Sequence, residues 1–126
     1  MKTPTNDAKW QTQNRILPTI ELEGDTIRVK NVRDYRYNDD RTIAQANYLD
    51  ETYQLSKFKR AWFGLSHFGN YGLAHVFLSF EFSDNKYLVV SIEARLEEKH
   101  PGYDPVVGLF RGYTKLLVLA LSLIHI

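Results

Sequence analysis

The chain of 126 residues contains no cysteine. It can therefore form no disulfide and no thiolate metal site, and none of its own residues can act as a thiol nucleophile. The chain also lacks a large net charge, because 16 Lys and Arg residues nearly balance 15 Asp and Glu residues. A nucleic-acid-binding protein needs a basic surface to neutralise phosphates, so we expect no nucleic-acid partner.

Long apolar runs are scarce. The longest, residues 116–126, is much shorter than the roughly 20 residues that span a bilayer. Residues 1–10 are polar and lack the basic start and apolar run of a secretory signal. We therefore predict neither a signal nor a transmembrane segment in this chain. The composition, 44% hydrophobic and 25% charged, is typical of one globular domain.

The first predicted strands follow a polar start. Residues 1–18 show no apolar periodicity, which predicts a disordered lead-in. Apolar and polar residues then alternate over 19–23 and 26–32, on either side of Gly24 and Asp25. This pattern predicts a hairpin.

The next part of the chain is predicted to mix loop, helix and strand. The polar and aromatic stretch 33–41 favours a loop, and Asp40 is placed to N-cap a short helix over 42–49. The cations and rings of the loop are compatible with single-stranded nucleic acid, but a loop that pairs its arginines with local acids is the simpler interpretation. β-Inclined residues at 53–58 and 61–68 predict two more strands.

A long hairpin is the clearest predicted element. Residues 73–82 and 86–95 alternate around a tight polar loop, and a last strand is predicted within 106–120. We therefore predict the α+β class, with a mainly antiparallel sheet of about five to seven strands and little helix. The even positions of the hairpin form the face expected to be the core: Val76, Leu78, Phe80, Phe82, Leu88, Val90, Ile92 and Ala94.

The other face of the hairpin carries the candidate site. A loop over residues 84–86 would place His75 opposite Arg95 and bring His75 within about 7 Å of Glu93 on the diagonal. A histidine oriented by a carboxylate and flanked by a cation is the base-and-orienter part of a nucleophilic site. Periodicity alone favours the simpler alternative, a polar network on a solvated sheet face.

No nucleophile or metal-ligand motif accompanies this histidine. Ser79 and Ser91 are predicted to face each other on the same strands, but they lack the exposed turn of a nucleophilic serine. The spacings HxH, HxxxH and HExxH do not occur. The catalytic candidates are therefore His75, Glu93 and Arg95, and we expect no metal and no cofactor.

Four segments, in order, resemble the N-terminal periplasmic domain of Lnb-type proteins, a bacterial family named after members that are lipoprotein N-acyltransferases. The segments are Gly24-Asp25 with residues 27–35 and Tyr37, residues 74–80, residues 90–95, and residues 108–111 with Tyr113. The resemblance extends over residues 19–120.

The resemblance implies a papain-like thiol enzyme in permuted order, in which the histidine strand precedes a cysteine in an Asn-Cys segment. His75 matches the family's histidine position, and Glu93 and Arg95 match its acidic-basic strand motif. The implied partners are a phospholipid as acyl donor and a lipoprotein as acceptor, in the periplasm or at the membrane. The Asn-Cys segment has no counterpart in these residues, and membrane association would come through segments missing here.

The last six residues, Leu-Ser-Leu-Ile-His-Ile, are also the translation of a transposase adapter used in sequencing libraries. We therefore expect residues 121–126 to be a non-native tail that follows a partial domain over 19–120. A natural apolar strand is the alternative. A shortened reading frame would explain why the cysteine is missing.

These observations predict a fragment of a bacterial envelope acyltransferase that is inactive alone. Three alternatives stay open: a non-catalytic β-rich binding module of the cell envelope, a thiol peptidase or amidase built on the same residues, and a soluble cytosolic domain with no envelope role. An Asn-Cys segment in the complete gene would favour the enzymes, and its absence would favour the binding module.

Overall fold

Seven β-strands contain most of the residues that the structure describes. It is a computed structural model that describes residues 6–67, 74–99, 102, 104 and 114–122. The strands are β1 (Thr19–Glu23), β2 (Thr26–Tyr37), β3 (Ile43–Gln54), β4 (Phe58–His67), β5 (Ala74–Phe82), β6 (Tyr87–Arg95) and β7 (Thr114–Ala120). In these ranges the helical elements are the four-residue α1 (Thr12–Arg15) and a 3₁₀ turn at Leu55–Lys57. The prediction of a sheet with little helix is confirmed, but the described chain is mostly β and has no helical layer of the kind the α+β class implies.

The strands form one mixed sheet. Its order is β1-β2-β7-β6-β5-β4, and β3 lies beside β2. β3 follows nearly the whole length of β2, so β1 and β7 must share the opposite edge of β2, one after the other. The contact of β2 with β7 is parallel and aligns Arg33 with Ala120, whereas the other strand pairs are antiparallel. The sheet curls into a half-barrel.

The loop predicted over 33–41 is confirmed only for residues 38–41, because β2 continues to Tyr37. The helix predicted over 42–49 is wrong, because β3 begins at Ile43. Asp40 does accept a hydrogen bond from the Thr42 N–H at 2.9 Å, but this contact closes a turn between two strands. Long-range pairing of β3 with β2 overrides the weak local preference for helix.

The polar start of the chain, for which the sequence predicts a disordered lead-in over 1–18, makes contacts with the end of the β5–β6 hairpin over residues 6–18. The Gln11 N–H donates to the Leu96 carbonyl at 2.9 Å, and the Glu98 N–H donates to the Lys9 carbonyl at 2.8 Å. Trp10 is 5% exposed. The partners of these contacts lie just after the end of β6, so a local pattern of residues cannot predict them. Residues 1–5 lie outside the described part.

The core lies at the loop end of the β5–β6 hairpin. Six buried side chains from five strands form it: Val29, Val32, Tyr53, Phe82, Leu88 and Leu119. Part of the predicted apolar face therefore is core, but Val76 and Ile92 at the other end of the hairpin are 47% and 63% exposed. In the described residues no helix is both long and apolar enough to cross a membrane.

Candidate active site

The β5–β6 hairpin turns one residue earlier than predicted. The Phe82 N–H donates to the Lys86 carbonyl at 2.9 Å, so the loop is residues 83–85. Asn85 has φ 62°, and asparagine tolerates this left-handed conformation better than most residues. This three-residue loop is the connection that goes with the observed register of the two strands.

This register changes the neighbours of the candidate residues. Phe77 pairs with Ser91, so the predicted placement of His75 opposite Arg95 is wrong. Continued by two residues, the observed register places His75 opposite Glu93. His75 and Glu93 are thus aligned with each other in the continued register, whereas the prediction made them diagonal neighbours.

A cavity of about 900 Å³ opens where β5 and β6 part. Their described pairing ends at Phe77 and Ser91, although β5 stays paired with β4 to Ala74 and β6 with β7 to Arg95. The polar residues of the lining include His75, Ser91, Glu93, Arg33, Tyr37 and Arg41. The structure therefore brings His75 and Glu93 to one cavity.

His75 has an unsatisfied ring nitrogen. Its Nε2 is buried and has no hydrogen-bond partner among the described residues. The imidazole lies beside the ring of Phe77, with 6.5 Å between the ring centroids and 28° between the planes. A buried polar atom without a partner is uncommon in folded proteins, and a catalytic role is one of its recognised explanations, beside a bound water or ion.

Glu93 is held by two groups. The Ser91 hydroxyl donates to Glu93 Oε1 at 3.2 Å, and Arg33 Nη1 lies 3.8 Å from Glu93 Oε2. The Arg33 side chain is 5% exposed and that of Glu93 is 21% exposed. The carboxylate therefore has a cation and a hydroxyl donor beside it, while one part of it remains open to the cavity.

Arg33 is the site residue that the sequence interpretation missed. Its Nη2 donates to the Gln13 carbonyl at 2.6 Å, and its guanidinium lies 4.9 Å from the centroid of the Tyr35 ring. The sequence had predicted a loop arginine paired with a local acid. The alternation of Arg33, Tyr35 and Tyr37 was a signal that β2 continues and that these three side chains share a face.

Tyr37 was missed for the same reason. Burial raises the pKa of the Tyr37 hydroxyl; the Arg33 cation opposes this shift, and the Glu93 carboxylate adds to it. Tyr37 is therefore protonated at neutral pH and can donate a hydrogen bond at the cavity.

Arg95 lies apart from the other two predicted site residues and does not line the cavity. Its Nε donates to the Asn14 carbonyl at 2.9 Å and its Nη1 to Asn6 Oδ1 at 2.8 Å. The guanidinium lies 4.2 Å from the centroid of the Trp10 ring, and burial lowers the pKa of Arg95. Its observed contacts hold the N-terminal segment, residues 6–17, against the sheet.

The cavity has a base and a carboxylate but lacks a nucleophile among the described residues. Ser79 pairs with Val89 rather than Ser91, and the Ser91 hydroxyl is engaged with Glu93. Within the described ranges, no cluster of three His, Cys, Asp or Glu residues could hold a metal ion. The arrangement can accept a proton and balance the resulting charge.

A family model described as the Lnb N-terminal periplasmic domain matches residues 44–121, more than half of the chain. The match includes His75 and Glu93 but not Arg33. Comparison with curated proteins gave no match, and comparison with solved structures gave none either.

Proposed function

Because the chain belongs to the Lnb N-terminal periplasmic domain family, we propose that it supplies the histidine half of a thiol-dependent acyltransferase site in the bacterial envelope. The observation that carries the proposal is the buried, unpartnered Nε2 of His75 in a cavity shared with Glu93. The attacking thiol would come from a cysteine outside these 126 residues, in the permuted papain-like order that the resemblance implies.

In the proposed reaction, His75 Nε2 takes the proton of the cysteine thiol. The thiolate attacks the ester carbonyl of a phospholipid, the carbon–oxygen bond breaks, and the lysophospholipid leaves with a proton as its alcohol. A thioester joins the acyl group to the enzyme. The α-amine of a lipoprotein's N-terminal cysteine then attacks the thioester, which forms the amide, breaks the carbon–sulfur bond and regenerates the thiol after proton transfer.

Glu93 would balance the charge of the imidazolium that forms in each half of this reaction. Arg33 and Ser91 hold its carboxylate at 3.8 and 3.2 Å, so its orientation does not depend on the substrate. The cavity lining also includes Val76, Leu78 and Ile92. These apolar side chains support the choice of a lipid acyl chain as the transferred group.

The proposal is tested in a protein that joins this domain to a cysteine-bearing segment. His75→Ala is expected to lower acyl transfer by about 10²- to 10⁴-fold, the usual contribution of a general base. Glu93→Gln should cause a smaller loss, since it keeps the shape and removes the charge. His67→Ala is the matched control, because His67 is an exposed histidine on β4; full activity of His75→Ala would reject the proposal.

A second candidate is a non-catalytic envelope binding module. Phe63, Leu65 and Ile92 are 66%, 52% and 63% exposed, and such apolar area favours contact with a partner. The same experiment separates the two functions, because a binding module would not require His75 for chemistry. A thiol peptidase or amidase would require His75 but would cleave a peptide or amide substrate instead of transferring an acyl chain.

A further inference from the structure

The imidazole of His75 is next to only one aromatic ring in the described ring contacts. Phe77 lies two residues along β5 on the same face, and the two ring centroids are 6.5 Å apart with 28° between the planes. This is an offset arrangement within the range of about 4.5–7 Å in which aromatic pairs attract. Since Nε2 has no hydrogen-bond partner among the described residues, this ring contact is available to orient the imidazole.

The Phe77 ring occupies space that is free only because the facing residue, Gly64, has no side chain. Gly64 of β4 pairs directly with Phe77, and a Cβ atom built on Gly64 would overlap Phe77 Cζ and Cε2. Real Cβ atoms essentially never approach so closely. The tip of the phenyl ring therefore lies directly on the backbone of Gly64, where any other residue would displace it.

This reliance on glycine is local. The neighbours of Gly64 on β4 are the bulky Phe63 and Leu65, both largely exposed. Gly64 has no positive φ that would itself require glycine. The packing of the Phe77 ring on the Gly64 backbone thus gives a physical reason for a glycine in the middle of this strand.

We infer that Phe77, seated on Gly64, is the positioning residue that sets the plane of the His75 imidazole. The inference rests on the proposed function, since the plane of the ring matters to acyl transfer only if His75 is the base. A substitution at Gly64 displaces the Phe77 ring, and the His75 ring then loses its neighbour and turns. The Glu93 carboxylate and its Arg33 contact do not involve Gly64 and stay in place.

The test measures the environment of the His75 ring in the 126-residue chain and does not depend on catalytic activity. NMR signals of the imidazole protons are compared for Gly64→Ala, Phe77→Leu and the matched control Phe63→Leu, which makes the same change at an exposed position of β4. We expect Gly64→Ala to move the His75 signals in the direction that Phe77→Leu moves them, and Phe63→Leu to leave them in place. Unmoved His75 signals in Phe77→Leu would overturn the inference.

A double-mutant cycle tests the seat itself. Gly64→Ala should destabilise the chain when Phe77 is present and should have little effect in the F77L background, because leucine leaves room for the new methyl group. Equal destabilisation in both backgrounds would overturn the seat. Phe77→Leu creates no clash, so it still reports on the ring contact if Gly64→Ala does not fold.

In a cysteine-bearing protein, Gly64→Ala is expected to lower acyl transfer by about 100-fold, the effect of displacing a catalytic group by about 1 Å. The two ideas fail separately. Activity that survives His75→Ala removes the proposed function and leaves the ring contact untouched, whereas His75 signals indifferent to Phe77 remove the positioning role alone.

Discussion

Arg33 Nη1 lies 3.8 Å from Glu93 Oε2, and this contact joins β2 to β6 across the intervening β7. Arg33 also donates to the Gln13 carbonyl at 2.6 Å. One buried guanidinium therefore connects the N-terminal segment, the centre of the sheet and the carboxylate of the candidate site. Removing one partner of a buried ion pair leaves the charge of the other partner uncompensated, which destabilises the fold.

Arg33→Met should lower the free energy of unfolding by about 2 kcal/mol, less than the roughly 3–5 kcal/mol typical of a fully buried pair, because the Glu93 side chain is partly exposed. Urea denaturation measures the change. Arg28→Met is the control on the same strand, since Arg28 pairs with Glu23 at the surface, and its effect should be much smaller. Equal effects of the two substitutions would show that Arg33 is not a buried structural cation.

Arg95→Met should release the N-terminal segment. Arg95 donates to the carbonyls of Asn14 and Arg15 and covers Trp10, so its loss removes several contacts that hold residues 6–17 on the sheet. Limited trypsin digestion followed by mass spectrometry should show faster cleavage after Lys9 and Arg15. Unchanged cleavage at both positions would mean that the segment is held without Arg95.

Stability should fall at alkaline pH because of Tyr53. Burial raises the pKa of the Tyr53 hydroxyl, and the Glu51 carboxylate adds to the shift. A group whose pKa is higher in the folded state contributes stability below its unfolded pKa, about 10 for tyrosine, and this contribution is lost as pH rises above it. Burial raises the pKa of Tyr35 in the same direction.

Tyr53→Phe should therefore make the decline of stability above about pH 10 less steep. At neutral pH the same change should cost about 1 kcal/mol, because the Tyr53 hydroxyl no longer donates to the Tyr87 carbonyl. Denaturant titrations from neutral to alkaline pH measure both effects. The same steepness in the variant and the parent would contradict the role of Tyr53.

The sequence predicts where the strands lie in the chain better than it predicts how the strands pair. The alternation of the β5–β6 hairpin identifies both strands and the core positions Phe82 and Leu88. Its register depends on the left-handed conformation of Asn85, which the sequence permits but does not require. A shift of one loop residue was enough to change the residue that the continued register aligns with His75 from Arg95 to Glu93.

The candidate site could be predicted only where its residues are close in the chain. His75 and Glu93 belong to one hairpin, and the family resemblance marks both. Arg33 comes near Glu93 because β2 pairs with β7, the neighbour of β6. Gln13 belongs to the N-terminal segment, and its carbonyl accepts a hydrogen bond from Arg33. These long-range contacts follow from how the sheet curls, and no local pattern of residues encodes them.

The proposed role of His75, activation of a thiol for acyl transfer, can be tested by mass spectrometry of a protein that joins this domain to a cysteine-bearing segment. The protein is incubated with phospholipid and without a lipoprotein acceptor. We predict that the cysteine gains the mass of one acyl chain as a hydroxylamine-sensitive thioester, and that His75→Ala prevents this gain whereas His67→Ala does not. Acylation of the cysteine at an unchanged rate in His75→Ala would show that His75 is not the base.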